Sequence, residues 1–463
     1  MSTTNSGCTP QGSQVRQLPG PRGRALLGTI ASFLGKDLLR VFSGLVGEYG
    51  PLFQVRLPLG HRLVMLAHPD AVEQVLRSGR ENYVKGSVYD GTRLLLGQGL
   101  VTSEGALWRR QRELANPAFR PAKLQQYLAV MADATAQLVK EWHAAGHAGP
   151  VDVHHEMTRL TLVIVGRTLF GLDLSQHSER AAPAFGAALA AIGRRGPGSL
   201  QVPLWLPTPG NRRFRRTLSE LDAMVYEVID RFRAGQAESA DQTLLGAYLE
   251  SRDPDTGLGM GDRQLRDEVI TLFLAGHETT ASLLSWALYE LARHPDVQAR
   301  VMTEIDALLP DEAPTLEQLK KLQYTSQVIN EVLRLYPPAW TVARNALADD
   351  EVVGYCVPGG AIVMVSPYFA HRLEAFWPEP LRFDPDRFTS VAVAARHPFA
   401  YFPFSLGPRI CIGMQFSLYE ARLVLGMLLR RFKVHPAGGG DVGVCAAGTL
   451  RPDGELRVLL KPR

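Results

Sequence analysis

Cysteine is scarce: four residues in 463, at Cys8, Cys356, Cys411 and Cys445, with no CxxC pair among them. A supply this thin excludes a disulfide scaffold and argues against a structural zinc site, and it suits a reducing compartment. Cys356 and Cys445 read as free thiols. Long apolar runs are also missing. No stretch of about 18 uninterrupted apolar residues occurs, and Met1–Gln17 lacks the apolar core of a signal peptide. The nearest approach, Ala25–Leu39, is broken by Lys36 and Asp37 and reads as an amphipathic helix. A membrane anchor is not expected, and the expected location is cytoplasmic. Charge of one sign is lacking as well: 50 Lys+Arg stand against 46 Asp+Glu, a net charge of +4. That balance is too mild to make nucleic acid the partner. With 46% hydrophobic and 21% charged residues, the chain is neither disordered nor fibrous.

What is present is mostly helical periodicity. A polar, flexible N-terminal tail is expected over residues 1–17, ending at Leu18-Pro-Gly-Pro. Leu52–Leu57 and Arg62–Ala67 read as strands joined by a Pro58-Leu-Gly60 turn, and Asp70 opens a helix. The expected β-rich parts are about 51–67, 351–366 and 440–463. The helical part is about 70–345, and a last helix follows over Met414–Phe432. The longest helix should run from Gln264 to Arg293, roughly 45 Å, and stop before His294-Pro295. Its middle is apolar on all sides except Gly276-His-Glu-Thr-Thr280, which places it at the centre of a large protein. The basic run Asn211-Arg-Arg-Phe-Arg-Arg216 reads as an exposed face. The pair His154-His155 with Glu156 reads as a helix start, not a metal site. No βαβ alternation argues for a doubly wound sheet.

The most informative segment is Phe404-Ser-Leu-Gly-Pro-Arg-Ile-Cys-Ile-Gly413. Cys411 sits just before a helix start, where backbone amides can stabilise a thiolate. Gly407 allows a tight turn, Gly413 allows close approach of a flat ligand, and Arg409 can pair with a ligand carboxylate. Within the long helix, Glu278 and Thr279 set a carboxylate beside a hydroxyl, near a glycine that opens the helix wall. The Thr279 hydroxyl can bond the carbonyl of Ala275 and admit water.

The Cys segment resembles the haem-binding signature FxxGxRxCxG of the cytochrome P450 family, with Phe404, Gly407, Arg409, Cys411 and Gly413 in its fixed places. Three further elements are similar to that family's motifs. Ala275-Gly-His-Glu-Thr-Thr280 follows (A/G)Gx(D/E)T. Glu331-Val-Leu-Arg334 follows ExxR, completed by Arg387, with Asp386 in place of the usual Glu. Trp108-Arg-Arg-Gln-Arg112 follows WxxxR. The resemblance implies one mainly α domain over 18–463 with a smaller β-rich lobe, with haem b (iron protoporphyrin IX) held between the long helix and the Cys loop. It implies Cys411 as the axial ligand of the iron, with Phe404, Gly413 and Ala275 against the haem. Arg112, Trp108, Arg344 and Arg409 would meet the haem propionates. Glu278 and Thr279 become the acid–alcohol pair that delivers protons. Glu331, Arg334 and Arg387 become a structural lock behind the Cys loop.

The implied reaction is monooxygenation of an apolar organic substrate of small or medium size, such as a terpenoid, polyketide or fatty acyl chain, using O2. The pocket candidates by resemblance are Leu95, Phe273, Leu274, Trp340, Val342 and Thr449. The chain stops about fifty residues after Cys411. Electrons are therefore expected from a separate ferredoxin or flavodoxin and its NAD(P)H reductase, docking near Arg109 and Arg110, with the protein acting as a monomer. The rival reading is a haem-thiolate sensor or carrier without turnover, which the Glu278–Thr279 pair disfavours.

Overall fold

A 32-residue helix, Asp262–Arg293, forms the axis of the computed structural model. The structure describes residues 15–21, 37–144, 146, 149–193, 202–238, 242–252, 257, 259–310, 312–438, 440–446 and 448–463. The helix starts two residues before the expected Gln264, with Asp262 in its first turn, where a carboxylate suits the positive end of the helix dipole. Pro295 ends it, because proline disfavours helical backbone at the preceding residue, and His294 is extended at φ −122. Every residue from Leu265 to Ala292 is buried except Ala275, Gly276 and Thr279.

Helices surround this axis. The helix Val153–Val165 begins at Asp152, whose side chain accepts from the amides of His154 and His155. It lies close against the long helix, and Thr161 Oγ1 donates to the carbonyl of His277 at 3.0 Å. His154 turns inward to Ser285, 3.2 Å away. The helices Gln323–Leu335 and Met414–Arg431 complete the inner layer, with Tyr336 stacked on Trp286 at 4.0 Å between ring centroids. In the helix Pro209–Arg233, Asn211 and Phe214 are buried while Arg212, Arg213, Arg215 and Arg216 share one exposed face, as expected of the basic run.

The smaller lobe is a five-stranded sheet. Leu52–Arg56 and Arg62–Leu66 form the expected hairpin, antiparallel in register Gln54 to Val64. Ile362–Val365 lies parallel to the second strand, then Val342–Ala346 and Tyr83–Val84 extend the sheet antiparallel. Two pieces of the expected helical region are therefore strand. After Pro337-Pro338 stops the preceding helix, Val342–Ala346 finds its hydrogen bonds on Ile362–Val365, Arg344 opposite Val363. Phe53, Val64, Met65 and Val363 fill the sheet's own core. A C-terminal sheet pairs Phe432–Pro436 with Arg457–Pro462.

Two sequence expectations change at this edge, and a third falls mostly outside the described residues. The end of the supposed tail, Arg16–Gln17, is a short strand parallel to Tyr355–Val357, and the Arg16 guanidinium lies 4.4 Å over the Tyr355 ring. Tyr355–Val357 forms a hairpin with Asp350–Val352, and its free backbone edge supplies the partners. Cys356, opposite Gln17, is disulfide-bonded rather than free, and its partner lies outside the described residues. The expected helix Ala25–Leu39 also falls outside them up to residue 36; the helix described begins at Leu38.

The lock behind the Cys loop is built on Arg334. Its guanidinium donates to both Glu331 oxygens at 2.6 and 2.8 Å, and to the carbonyls of His371, Pro380 and Arg382. Both side chains are fully buried. Glu331 also accepts from the Asp384 amide at 2.8 Å and faces Arg387 at 3.5 Å. Asp386 points outward and takes a two-pronged pair from Arg300. Burial pushes the Glu331 carboxyl up, and Arg334 pulls it back. Glu331→Ala strands Arg334 without water, so the urea midpoint should fall by the equivalent of about 3–5 kcal/mol. Glu220→Ala, which breaks the exposed pair with Arg216, should cost under about 1 kcal/mol.

Candidate active site

A cavity of about 310 Å³ lies between the middle of the long helix and the Cys loop, with Cys411 and Thr279 both on its wall. The loop is held in a strained turn. Ser405 and Gly407 are left-handed at φ 65 and 67. A Cβ on Gly407 would stand 2.3 Å from the carbonyl oxygen of Leu76, so only glycine fits there. The Cys411 amide donates to the Phe404 carbonyl at 2.9 Å, which aims the sulfur into the cavity. Burial within the protein body pushes the thiol up. Hydrogen bonds from the Gly413 and Met414 amides at the next helix's start, and the Arg112 charge, favour the thiolate.

Gly413 also faces this space. A Cβ there would meet only the Phe119 ring at 3.9 Å and the Cys411 sulfur at 4.0 Å. Open room above a sulfur, bounded by Phe404 and Ala275, is what a flat ring needs.

Four cations line the same cavity: Lys85, Arg112, Arg344 and Arg409. Arg112 donates to the Ile410 carbonyl at 2.9 Å, and Arg409 to the Ser103 carbonyl at 2.8 Å, lying 4.1 Å over the Trp108 ring. Arg344 donates to the Ala343 carbonyl at 2.7 Å. The nearest carboxylate, Glu104, is 4.0 Å from Arg409. Burial and mutual repulsion push Arg409 down to about 10, and push Lys85 far below its ordinary value. So much uncompensated positive charge in a half-closed space calls for a dianionic ligand, and the two propionates of a haem supply that charge. The residues present therefore fit an iron porphyrin, with Cys411 to bind the iron.

The opposite wall is one face of the long helix. Thr271, Leu272, Ala275, Gly276, Thr279, Thr280 and Leu283 line the cavity at helical spacing. Thr279 Oγ1 donates to the Ala275 carbonyl at 2.7 Å, as its position implied. Glu278 is on an adjoining face, away from the cavity wall. One of its oxygens accepts from Thr449 at 2.6 Å and the other is buried without a partner. Thr449 is thus a partner of Glu278, not part of the cavity wall. Of the other pocket candidates, Val342 lines the cavity, while Leu95, Phe273, Leu274 and Trp340 are packed in the core behind it. Phe273 and His277 share a face turned toward Phe185, about 100° from the cavity face. Gly276 lines the cavity but also packs closely on the helix Val153–Val165. Its missing Cβ admits Val165, whose Cγ2 would be 2.7 Å away.

Arg109 is exposed and Arg110 half-buried beside Arg112. Two functional candidates carry no local sequence signal. Lys85 reaches the cavity from a loop far from every motif. Glu420 is fully buried on the helix after the Cys loop; burial drives its carboxyl far up, and the Thr280 hydroxyl opposes the shift. Neighbouring Thr280 and Ser417 pair at 3.0 Å.

The close approach at Gly276 is testable. Gly276→Val should destabilise the fold by about 1–3 kcal/mol in denaturant titrations. Adding Val165→Ala should restore most of that loss, because the two positions are in contact.

Comparison with known proteins bears on this site. The cytochrome P450 family model matches residues 18–455. Cyclooctat-9-en-7-ol 5-monooxygenase of Streptomyces melanosporofaciens is 36% identical over 392 residues, 84% of each chain. Pentalenene oxygenase of Streptomyces avermitilis is 33% identical over 425 residues, 91% of this chain and 92% of that one. The crystal structure of the cytochrome P450DA heme domain superposes with a TM-score of 0.85 at 29% identity, covering 97% of this chain and 98% of that one. No helix among the described residues is long and apolar enough to cross a membrane. A thiol beneath an open cavity, a notch in the long helix above it, and a family match over nearly the whole length lead to one assignment: the chain belongs to the cytochrome P450 family and is an oxidoreductase of the monooxygenase kind.

Proposed function

We propose that the protein is a haem b monooxygenase acting on a cyclic terpenoid, with electrons delivered by a separate ferredoxin or flavodoxin and its NAD(P)H reductase. The observation that carries this reading is the gap in burial along the long helix. Only Ala275, Gly276 and Thr279 open between Leu265 and Ala292, and they open onto the cavity that holds Cys411. A buried helix gains nothing from such a notch unless a ligand and a proton donor use it.

Each residue then has a physical task. Cys411 would bind the iron, its thiolate moderated by the Gly413 and Met414 amides. Lys85, Arg112, Arg344 and Arg409 would hold the two carboxylates and set the plane of the ring. When bound, the haem supplies activation of dioxygen and insertion of one oxygen atom into a C–H or C=C bond. Thr279 Oγ1 is the atom that would present a proton to the cavity, with the partnerless Glu278 oxygen beside it on the helix as the source. Leu100, Val101, Leu169, Leu272, Leu283 and Val342 supply an apolar wall that excludes water. Exposed Arg109 and Arg120, on the chain that carries Arg112 to the Cys loop, suit an acidic electron-transfer partner.

The terpenoid class is favoured by the relatives named for pentalenene and cyclooctat-9-en-7-ol, and by the apolar wall. Titration of the purified haem protein with cyclic terpenes, fatty acids and macrolides should change the haem spectrum at lowest concentration with the terpenes; tighter fatty-acid binding would contradict the assignment. Cys411→Ala should lose the thiolate-type reduced–CO band. Thr279→Ala should keep haem and substrate binding but lower product per NAD(P)H by about tenfold or more, with peroxide rising in step. Unchanged coupling in that variant would remove Thr279 from the proton path.

A further inference from the structure

One stretch of the cavity wall is fastened to the long helix by an unusual pair of acids. Leu100 and Val101, which line the cavity, belong to the loop that follows the helix Asp90–Leu96. The Gln98 amide donates to Asp267 Oδ2 at 2.8 Å, and the Leu100 amide to Glu268 Oε2 at 3.2 Å. The loop presses hard on the helix. A Cβ on Gly97 would stand 2.0 Å from Asp267 Oδ2, and one on Gly99 would stand 2.2 Å from Thr271 Oγ1. From the other side, Gln111 donates to the Gln98 carbonyl at 2.7 Å and accepts from the Ser103 hydroxyl.

The two acids are treated differently. Asp267 has Arg266 at 3.0 Å, and Arg266 in turn pairs with Asp222. Glu268 is fully buried with no cation beside it. Its Oε1 has no partner, and the nearby Tyr248 and Thr271 hydroxyls are also buried without partners. Nothing in the proton delivery or cofactor cradle described above uses Glu268.

We propose that Glu268 is a positioning residue: through its bond to the Leu100 amide it sets the Leu100–Val101 wall of the cavity and thereby which substrates the enzyme accepts. This rests on the function proposed above, because the wall matters only if the cavity holds substrate.

The chemistry of the clasp gives a signature that a merely structural contact lacks. Burial raises the Glu268 carboxyl to about 8; the Leu100 amide and the Gln111 side chain oppose the shift, and the Asp267 charge adds to it. In an opened, hydrated loop the same group would titrate near its ordinary 4.5. The clasped form therefore holds the extra proton. It is fully favoured below the ordinary value, weakens by up to about tenfold per pH unit up to about 8, and is constant above that. The charged and titratable groups facing the clasp are Asp267 and Arg266 on the same helix, Asp222 behind Arg266, and Tyr248 from the helix Leu244–Glu250. At the far end of the loop, Lys85, Arg93 and Arg409 hold the carbonyls of Val101, Thr102 and Ser103. Lys85 is the member of that group whose proton affinity is most depressed.

Amide hydrogen exchange on the haem-loaded protein reads the clasp directly. Corrected for intrinsic rates, protection across Gln98–Leu100 should fall by up to about tenfold per pH unit between pH 6 and 8 in the native chain. It should be flat in Glu268→Gln, which keeps an acceptor for the Leu100 amide but carries no titrating proton. A flat native profile, or a slope in Glu268→Gln equal to the native one, overturns the proposal; the second result assigns the pH response to Lys85. In spectral titrations, Glu268→Ala should lose discrimination between small and bulky ligands by several-fold, while Glu268→Gln keeps it. Equal discrimination in all three proteins removes Glu268 from specificity even if the exchange signature holds. Absence of any ligand-induced spectral change would sink the proposed function instead, and the exchange profile would still be readable.

Discussion

A thiol held at the bottom of a half-closed, positively charged space is the constraint on which the rest depends. Sulfur buried without a metal prefers to stay protonated, so the loop must bring helix-start amides and Arg112 to it. Doing so forces Ser405 and Gly407 into left-handed backbone and presses Gly407 against the Leu76 carbonyl. That strain persists only where surrounding structure over-determines it. The Arg334 hub does this, tying the loop's hinterland to one helix through three carbonyls and a fully buried carboxylate. Such an arrangement adds little net stability compared with a well-packed apolar alternative, but removing one partner strands the other.

The electrostatics of the cavity is unbalanced on its own terms. Lys85 and Arg409 are each lowered by burial and by neighbouring cations, and Glu104 offsets only part of that charge. The protein carries this imbalance because a dianion corrects it, so ligand binding and local stability are linked: whatever binds here stabilises the folded chain. The same reasoning separates this cavity from an ordinary apolar pocket, where a charge cluster of one sign would have no use.

Much of the centre was legible from residues close together in the chain. For Glu331 and Arg334, three residues apart on one helix face, spacing alone told who meets whom; Trp108 instead meets Arg409, and Arg112 the Ile410 carbonyl, across the fold. The limits of the long helix were readable for the same reason, since Pro295 and the apolar run mark them. What escaped the sequence was phase and distance. Phe273 and Leu274 are next to Ala275 in the chain, yet a rotation of about 100° per residue turns them away from the cavity. Thr449 and Glu278 are 171 residues apart and meet only through the fold. Gly276 does two things at once: it lines the cavity, and the space of its missing side chain is filled by Val165. Val342–Ala346, where the sequence pattern turns from helix toward strand, finds its partner edge on Ile362–Val365.

Three acids on one buried helix show how position along it decides what an acid does. Asp267 is neutralised by Arg266 and serves as a fixed acceptor for the Gln98 amide. Glu268, one residue on, has no cation and keeps its proton to about 8, so its hold on the neighbouring loop depends on protonation. Glu278 is three turns further along, with one oxygen bound by Thr449 and the other left open. Each of the three carboxyls is buried. The differences come from what the fold places beside each one: a guanidinium, a backbone amide or a hydroxyl. Positions on one buried helix can thus carry acids with quite different partners, because each meets a different element of the fold.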